Sequence, residues 1–291
     1  MNGENEFHPR AGTLAGKKVV IKIGGSSITG VERMDAFAAE VAILKGEGLR
    51  PIVVHGGGPE ISEEMKRRGL PVKKVAGLRV TDEMTLEVAM DVLSAINVSI
   101  VCALKRAGLQ ATGMMGAEGD SIQCRKMAPA RVKDEDGKDV EVDLGLVGEV
   151  ARVEPSRIEQ LCESGFVPVI YPICVQRDGR LMNVNADTAA AHIAMAVKAE
   201  ELVLITDVPG LMREFGKTET VIPILWTSDI AELERQGIVS DGMIPKVRAC
   251  RLAVEGGVKV AHMIDGKEKG SIVHQLLSGD YLGTRVVLGQ G

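Results

Sequence analysis

The chain has 291 residues, 45% hydrophobic and 26% charged, the balance of an ordinary globular protein. Its formal charge of −5 and pI near 5.7 argue against a nucleic-acid partner. Four Phe, two Tyr and one Trp provide no aromatic platform for base stacking, so the core must rest on Val, Ile, Leu, Ala and 13 Met.

Residues 1–16 are polar and rich in Gly, Asn and Pro; they read as a flexible leader without the apolar stretch of a signal peptide. Residues 18–25, KVVIKIGG, read as a buried strand running out on a glycine pair. Met34, Phe37, Ala38, Val41 and Leu44 then recur at helical spacing, as far as Gly46 and Gly48. Residues 51–55 form a second apolar strand, followed by three glycines and a helix opened by Pro59. Proline suits a first turn because its missing N–H would be unpaired there anyway. A long helix is predicted from Thr81 or Asp82 to about Ala107, with Thr81 as its cap. Met84, Val88, Val92, Leu93, Ile96, Ile100 and Leu104 line one of its faces.

Residues 110–153 lack helical periodicity and read as hairpins on the edge of a sheet, with 133–138 as a solvated turn. The second half repeats the strand–glycine–helix grammar. Residues 166–174 read as one strand, 177–180 as a tight turn, 187–198 as an Ala-rich helix and 201–207 as a strand. A helix over 245–255 and a strand over 258–265 follow. Strands alternating with helices imply an α/β fold: a three-layer αβα sandwich on a mainly parallel central sheet, in two lobes around a cleft. No apolar run approaches the roughly 18 residues that cross a bilayer. Cys102, Cys124, Cys162, Cys174 and Cys250 are scattered, which reads as reduced thiols of a cytoplasmic protein with neither disulfides nor a zinc site. Asn97-Val98-Ser99 matches a glycosylation sequon that such a chain would not use.

Ligands of such sheets sit beyond the carboxyl ends of the strands, so the polar and glycine-rich strand ends are the candidates. Lys22, inside a strand and two residues before Gly24 and Gly25, either binds an anion with them or snorkels at the strand end. His55-Gly56-Gly57-Gly58-Pro59 places a glycine nest before a helix N-terminus, a ready anion site or simply a loose turn. His55 reads there as a hydrogen-bonding strand-end residue rather than a general base. Asn183, Asn185 and Asp187 gather at one helix entrance, where Asp187 or Thr188 could also serve as a plain N-cap. Arg79 is either a carboxylate clamp or a surface partner of Asp82. Lys246 stands in a first helical turn, where a cation opposes the helix dipole and a phosphate would explain it. The chain has no P-loop, no dinucleotide fingerprint, no protein-kinase motifs and no metal-ligand spacing.

KIGG, HGGGP, GLRVTD, DLGLVGEV, NVNADTAA, LITDVPGL and SDGMIPKV stand in one order and spacing from Lys18 to Thr284. Together they resemble the amino-acid kinase family, and GLRVTD with NVNAD resembles its branch acting on N-acetyl-L-glutamate in arginine biosynthesis. That resemblance implies ATP-dependent phosphorylation of the γ-carboxylate, with Mg²⁺ held mainly by the nucleotide and no metal site on the protein. It implies an acetylglutamate-binding and dimerisation lobe over 17–177 and a nucleotide lobe over 178–291. Lys22 and Lys246 would stabilise the transferring phosphoryl group, and Asp187 would orient both. Gly57, Gly58, Arg79, Asn183 and Asn185 would hold the substrate. Gly24, Gly25, Thr206, Asp207 and Gly242 would hold the nucleotide. A side-chain carboxylate, with an unperturbed pKa near 4.3, is already an anion at neutral pH and needs no general base.

Arginine-inhibited members of the family carry a helical N-terminal extension and a C-terminal segment with a particular His and Glu. Residues 265–284 lack both at the matching places, and Pro9 and Gly12 are poor helix material. Arginine inhibition and a hexamer are therefore not expected; a homodimer through residues 82–107 is. The rival readings are a kinase for carrier-linked or N-acetylated α-aminoadipate or glutamate, and a non-catalytic amino-acid sensor on the same fold.

Overall fold

The computed structural model describes residues 14–24, 30–75, 77–133, 138–239, 241–278 and 282–289. The leader up to residue 13, most of the turn expected at 133–138, and Gly25 lie outside them. At the edge of the leader Leu14 is buried, and the Gly16 N–H donates to the Gly48 carbonyl (2.7 Å), so the fold starts before residue 17.

In chain order the first half runs β1 (Lys18–Ile23), α1 (Val31–Gly46), β2 (Arg50–His55), α2 (Gly58–Arg67), β3 (Lys74–Val75), β4 (Leu78–Arg79) and α3 (Glu83–Arg106). Then come β5 (Ala111–Met115), β6 (Ile122–Lys126), β7 (Ala130–Lys133), β8 (Asp139–Val142), β9 (Val147–Val153) and α4 (Ser156–Glu163). The second half holds β10 (Val167–Tyr171), β11 (Ile173–Gln176), β12 (Leu181–Val184), α5 (Ala186–Ala196), β13 (Glu201–Thr206) and β14 (Ile224–Trp226). It closes with α6 (Ile230–Arg235), α7 (Ile244–Glu255), β15 (Val260–Asp265), α8 (Ser271–Val273) and β16 (Thr284–Val287).

Eight strands form one sheet in the order β14-β16-β15-β13-β1-β2-β10-β5, parallel except where β16 meets β15. The alternation of the strands sorts their side chains into two cores. Val20, Ile52, Val54, Leu202 and Leu204 pack beneath α4, α5 and α7. Val19, Ile21, Ile23, Val53 and Val203 pack beneath α1, α3 and the segment around Ile272–Leu277. Buried on both faces, these strands read as unbroken apolar runs, and the three-layer expectation holds.

Four local expectations are corrected. The cap of α3 is Asp82, whose carboxylate accepts from the Thr85 N–H (2.8 Å); Thr81 is buried and bridges to Gly145. The strand expected over 166–174 breaks at Pro172, which has no N–H for a ladder, so β10 stays in the sheet and β11 leaves it. Residues 110–153 are not all edge hairpins: β5 is a parallel edge strand, β6 and β9 join β11 and β12 in a small closed barrel, and only β7–β8 is a simple hairpin. Finally, α3 is long and apolar enough on composition to span a bilayer, with an 18-residue window of mean hydropathy 1.7. Leu93, Ile100 and Leu104 of that helix are instead buried in the interior.

Candidate active site

The parity of β1 builds the centre of the site. Lys22 shares its side of the strand with Val20, so it turns toward α5 rather than α1. There its Nζ lies 2.7 Å from Asp187 Oδ1, and Lys246 Nζ lies 3.5 Å from the other oxygen. Burial pushes the Asp187 carboxyl up, but the two ammonium groups outweigh it and hold it below the usual carboxylate range. The trio thus keeps one net positive charge at the strand ends. An unpaired buried ammonium would cost several kcal/mol, so Asp187 is what makes two lysines tolerable here.

Asp187 is available because another residue caps its helix. The sequence reading gave Asp187 or Thr188 as the N-cap; the cap is Asn185, whose Oδ1 accepts from the N–H groups of Asp187 (2.9 Å) and Thr188 (3.0 Å). Its backbone is extended (φ −63°, ψ 129°), as an N-cap requires, whereas Asp187 is already helical.

Two of the site's glycines, Gly24 and Gly57, are small for reasons of space, whereas Gly58 and Gly242 have open space around a would-be Cβ. A Cβ on Gly24 would sit 2.8 Å from Lys22 Nζ, so a side chain there would push on the ammonium. At Gly57, the N-cap of α2, a Cβ would lie 2.7 Å from Ile96 Cδ1 and 3.0 Å from Leu93 Cδ2 of α3. Behind this loop His55 is wholly buried, and burial lowers its pKa to about 4, so the ring is neutral near pH 7 and remote from base chemistry.

Arg79 is 8% exposed and has no carboxylate partner among the described residues. Its Nη2 donates to the Gly58 carbonyl and to Ser62 Oγ, both at 2.7 Å, and Nη1 to Met65 Sδ at 3.1 Å. The surface pair with Asp82 does not form, because Asp82 is engaged as the α3 cap.

One cavity of about 460 Å³ gathers Lys22, Gly24, Gly57, Gly58, Arg79, Asn183, Asn185, Asp187, Thr206, Asp207 and Lys246. Gly242 lies instead on an adjoining cavity of about 560 Å³, which shares Asp207 and Lys246 with the first. Leu211, Met212, Phe215, Ile238 and Met243 give that second space apolar walls. Sequence reasoning missed these, and it missed Lys74 on β3, a further cation on the first cavity. The LITDVPGL and SDGMIPKV motifs marked the second cavity's neighbourhood; Lys74 carried no signal. The first cavity therefore presents Lys22, Lys74, Arg79 and Lys246 against Asp187 and Asp207, an anion-receiving surface. Among the described residues no cluster of three or more His, Cys, Asp or Glu side chains could cage a metal, and Asp187 is engaged by lysines. Such a donor set fits a Mg²⁺ carried on nucleotide phosphates.

A model of the amino acid kinase family matches residues 17–265. The chain belongs to that family. Among the kinases of this family, the acetylglutamate kinase of Heliobacterium modesticaldum is 41% identical over 283 residues, covering 97% of this chain and 96% of its own. That of Methanothrix thermoacetophila is 44% identical, covering 92% and 91%. An N-acetylglutamate synthase from Neisseria gonorrhoeae, complexed with coenzyme A and N-acetyl-glutamate, superposes with a TM-score of 0.82 at 21% identity; the chain spans 62% of that protein. Carbamate kinase from Giardia superposes with a TM-score of 0.70 at 17% identity, a likeness of fold alone.

Proposed function

We propose that this chain transfers the γ-phosphoryl group of ATP to the γ-carboxylate of N-acetyl-L-glutamate, giving N-acetyl-L-glutamyl 5-phosphate in arginine biosynthesis. The relatives named acetylglutamate kinase, about 40% identical over nearly their whole length, support the substrate. The structural observation that carries the reading is Arg79: a buried guanidinium without an acid partner among the described residues, opening on the same cavity as the Lys22–Asp187–Lys246 centre. A guanidinium is the preferred cation for a carboxylate, and an α-carboxylate would take over from the Ser62 or Gly58 acceptor at Nη2. Asn183 and Asn185, which line the same cavity, would hold the acetyl-amide end. The second cavity, which shares Asp207 and Lys246 with the first and has apolar walls from Leu211, Met212, Phe215, Ile238 and Met243, suits the base of the nucleotide.

The chemistry needs little else. The acceptor arrives ionised, so the task is to bring two anions together and spread the charge of the transferring oxygens. Lys22 and Lys246 would act there as fixed cations, held at their stations by Asp187, and a Mg²⁺ carried on the nucleotide would add charge neutralisation to theirs. Residues 17–177, together with Asn183 and Asn185, would hold the acceptor, and the rest of 178–291 the nucleotide. The enzyme would be cytoplasmic and a homodimer through α3, where Met84 and Val98 stand exposed. A hexamer and inhibition by arginine are not part of this reading.

Coupled ADP release with N-acetylglutamate, glutamate, aspartate and N-acetyl-aminoadipate side by side tests the proposal. N-acetylglutamate should give the only substantial turnover; silence with all four would overturn it in favour of a sensor.

A further inference from the structure

Asn97 lies on the buried face of α3 and does not line the cavity, yet its hydrogen bonds lead to the glycine nest. Its Nδ2 donates to the Val169 carbonyl (2.9 Å) and to His55 Nε2 (3.1 Å). A backbone carbonyl can only accept, so the nitrogen end of the amide must face Val169 and, with it, the histidine. His55 Nε2 is therefore a lone pair, and the ring's one hydrogen is on Nδ1. That Nδ1 lies 3.1 Å from the Gly56 carbonyl, again an acceptor only. Two backbone carbonyls thus fix every proton in the chain of bonds from Val169 to Gly56.

The consequence is geometric. In a trans peptide the C=O and the following N–H point in opposite directions. With the Gly56 oxygen drawn toward the buried ring, the Gly57 N–H is turned the other way, and Gly56 and Gly57 both line the 460 Å³ cavity. The Gly56 N–H is already used by the Ile23 carbonyl, while the Gly57 N–H meets no backbone carbonyl among the described residues. We infer that Asn97, through the tautomer it imposes on His55, aims the Gly57 N–H into the cleft and is a positioning residue for phosphoryl transfer. This rests on the kinase reading above. The lowered pKa of His55, caused first by burial and further by Lys22, agrees with a ring that stays neutral. Besides the Asn97 amide, which does not titrate, the ionisable neighbours of the ring include Lys22 on β1, whose charge acts on it, and Tyr171 on β10, at 6.0 Å between ring centroids.

Nitrogen-resolved NMR of the full-length protein labelled in its histidines reads the tautomer directly. At pH 7 one histidine, assigned by its loss in H55N, should carry its proton on Nδ1 alone; a proton on Nε2 would overturn the inference. Asn97→Asp then replaces a donor by an acceptor of the same shape. Where the new carboxylate is ionised, Nε2 must hold a proton, so the ring either loses its grip on Gly56 or becomes a cation beside Lys22; the histidine NMR of this variant reads which proton arrangement it adopts. We expect kcat to fall about 10- to 100-fold, the cost of a displaced reacting-site group. KM for ATP should stay within about threefold, and kcat should acquire a new ionisation between pH 5 and 8 that wild type lacks. Wild-type kcat with an unchanged pH profile in a folded Asn97→Asp protein would overturn the inference as well. The tautomer is read without turnover, so an inactive wild-type chain would sink the kinase assignment while the NMR still decides the proton arrangement.

Discussion

The two cationic corners of the cleft handle their charge in opposite ways. At the strand ends, Lys22 and Lys246 already share Asp187, so their positions are set before any ligand arrives. At the other corner Arg79 meets, among the described residues, neutral acceptors: the Gly58 carbonyl, Ser62 and Met65. A charge paired in advance is a fixed instrument, suited to a transition state whose charge appears only in passing. A charge left without an acid is a receptor, suited to an anion that stays bound through the whole reaction. The difference separates kcat from KM.

Breaking the first corner should give the largest effect. Lys22→Ala or Lys246→Ala should lower kcat by about 10³-fold or more, roughly 4 kcal/mol of transition-state stabilisation, with circular dichroism unchanged. Near-normal turnover in both would end the assignment of that corner to catalysis. Arg79→Gln should raise KM for N-acetylglutamate about 100-fold, near 2.7 kcal/mol, while kcat falls much less, as expected for binding felt equally in ground and transition states. If kcat collapses instead, the contrast between the corners is wrong. The finest probe is Gly24→Ala, whose new methyl would press on Lys22 Nζ from 2.8 Å. It should cost about tenfold in kcat, near 1.4 kcal/mol, and leave KM for acetylglutamate alone.

Much of this was legible in the chain. Buried parallel strands write themselves as apolar runs, so the layers could be read from 18–23, 50–55 and 201–206. The lysines, glycines and Arg79 fell at strand and helix ends, where the fold class sends ligands. What was not legible depended on competition between neighbours. Asp82 and Thr81, or Asn185 and Asp187, are equally good caps by type, and only the backbone conformation chose between them. Residues 166–174 read as one strand because the apolar run continues through Pro172, and nothing in that run shows that the chain passes there from the sheet into a second, barrel-like one. Lys74 and the apolar walls of the second cavity come from segments whose spacing carries no period.

Three parts of the chain must meet before the Lys22–Asp187–Lys246 contact exists, and they are far apart along it. Lys246 and Asp187 are 59 residues apart, and Lys22 comes from the earliest described strand, which nonetheless lies mid-sheet between β13 and β2. Non-local contacts of this kind form late, because long loops must close before they are rewarded. The centre is thus a record of completed folding: in a refolding experiment, recovery of turnover should trail the return of helix signal, and catalysis would serve as the strictest gauge of the native state.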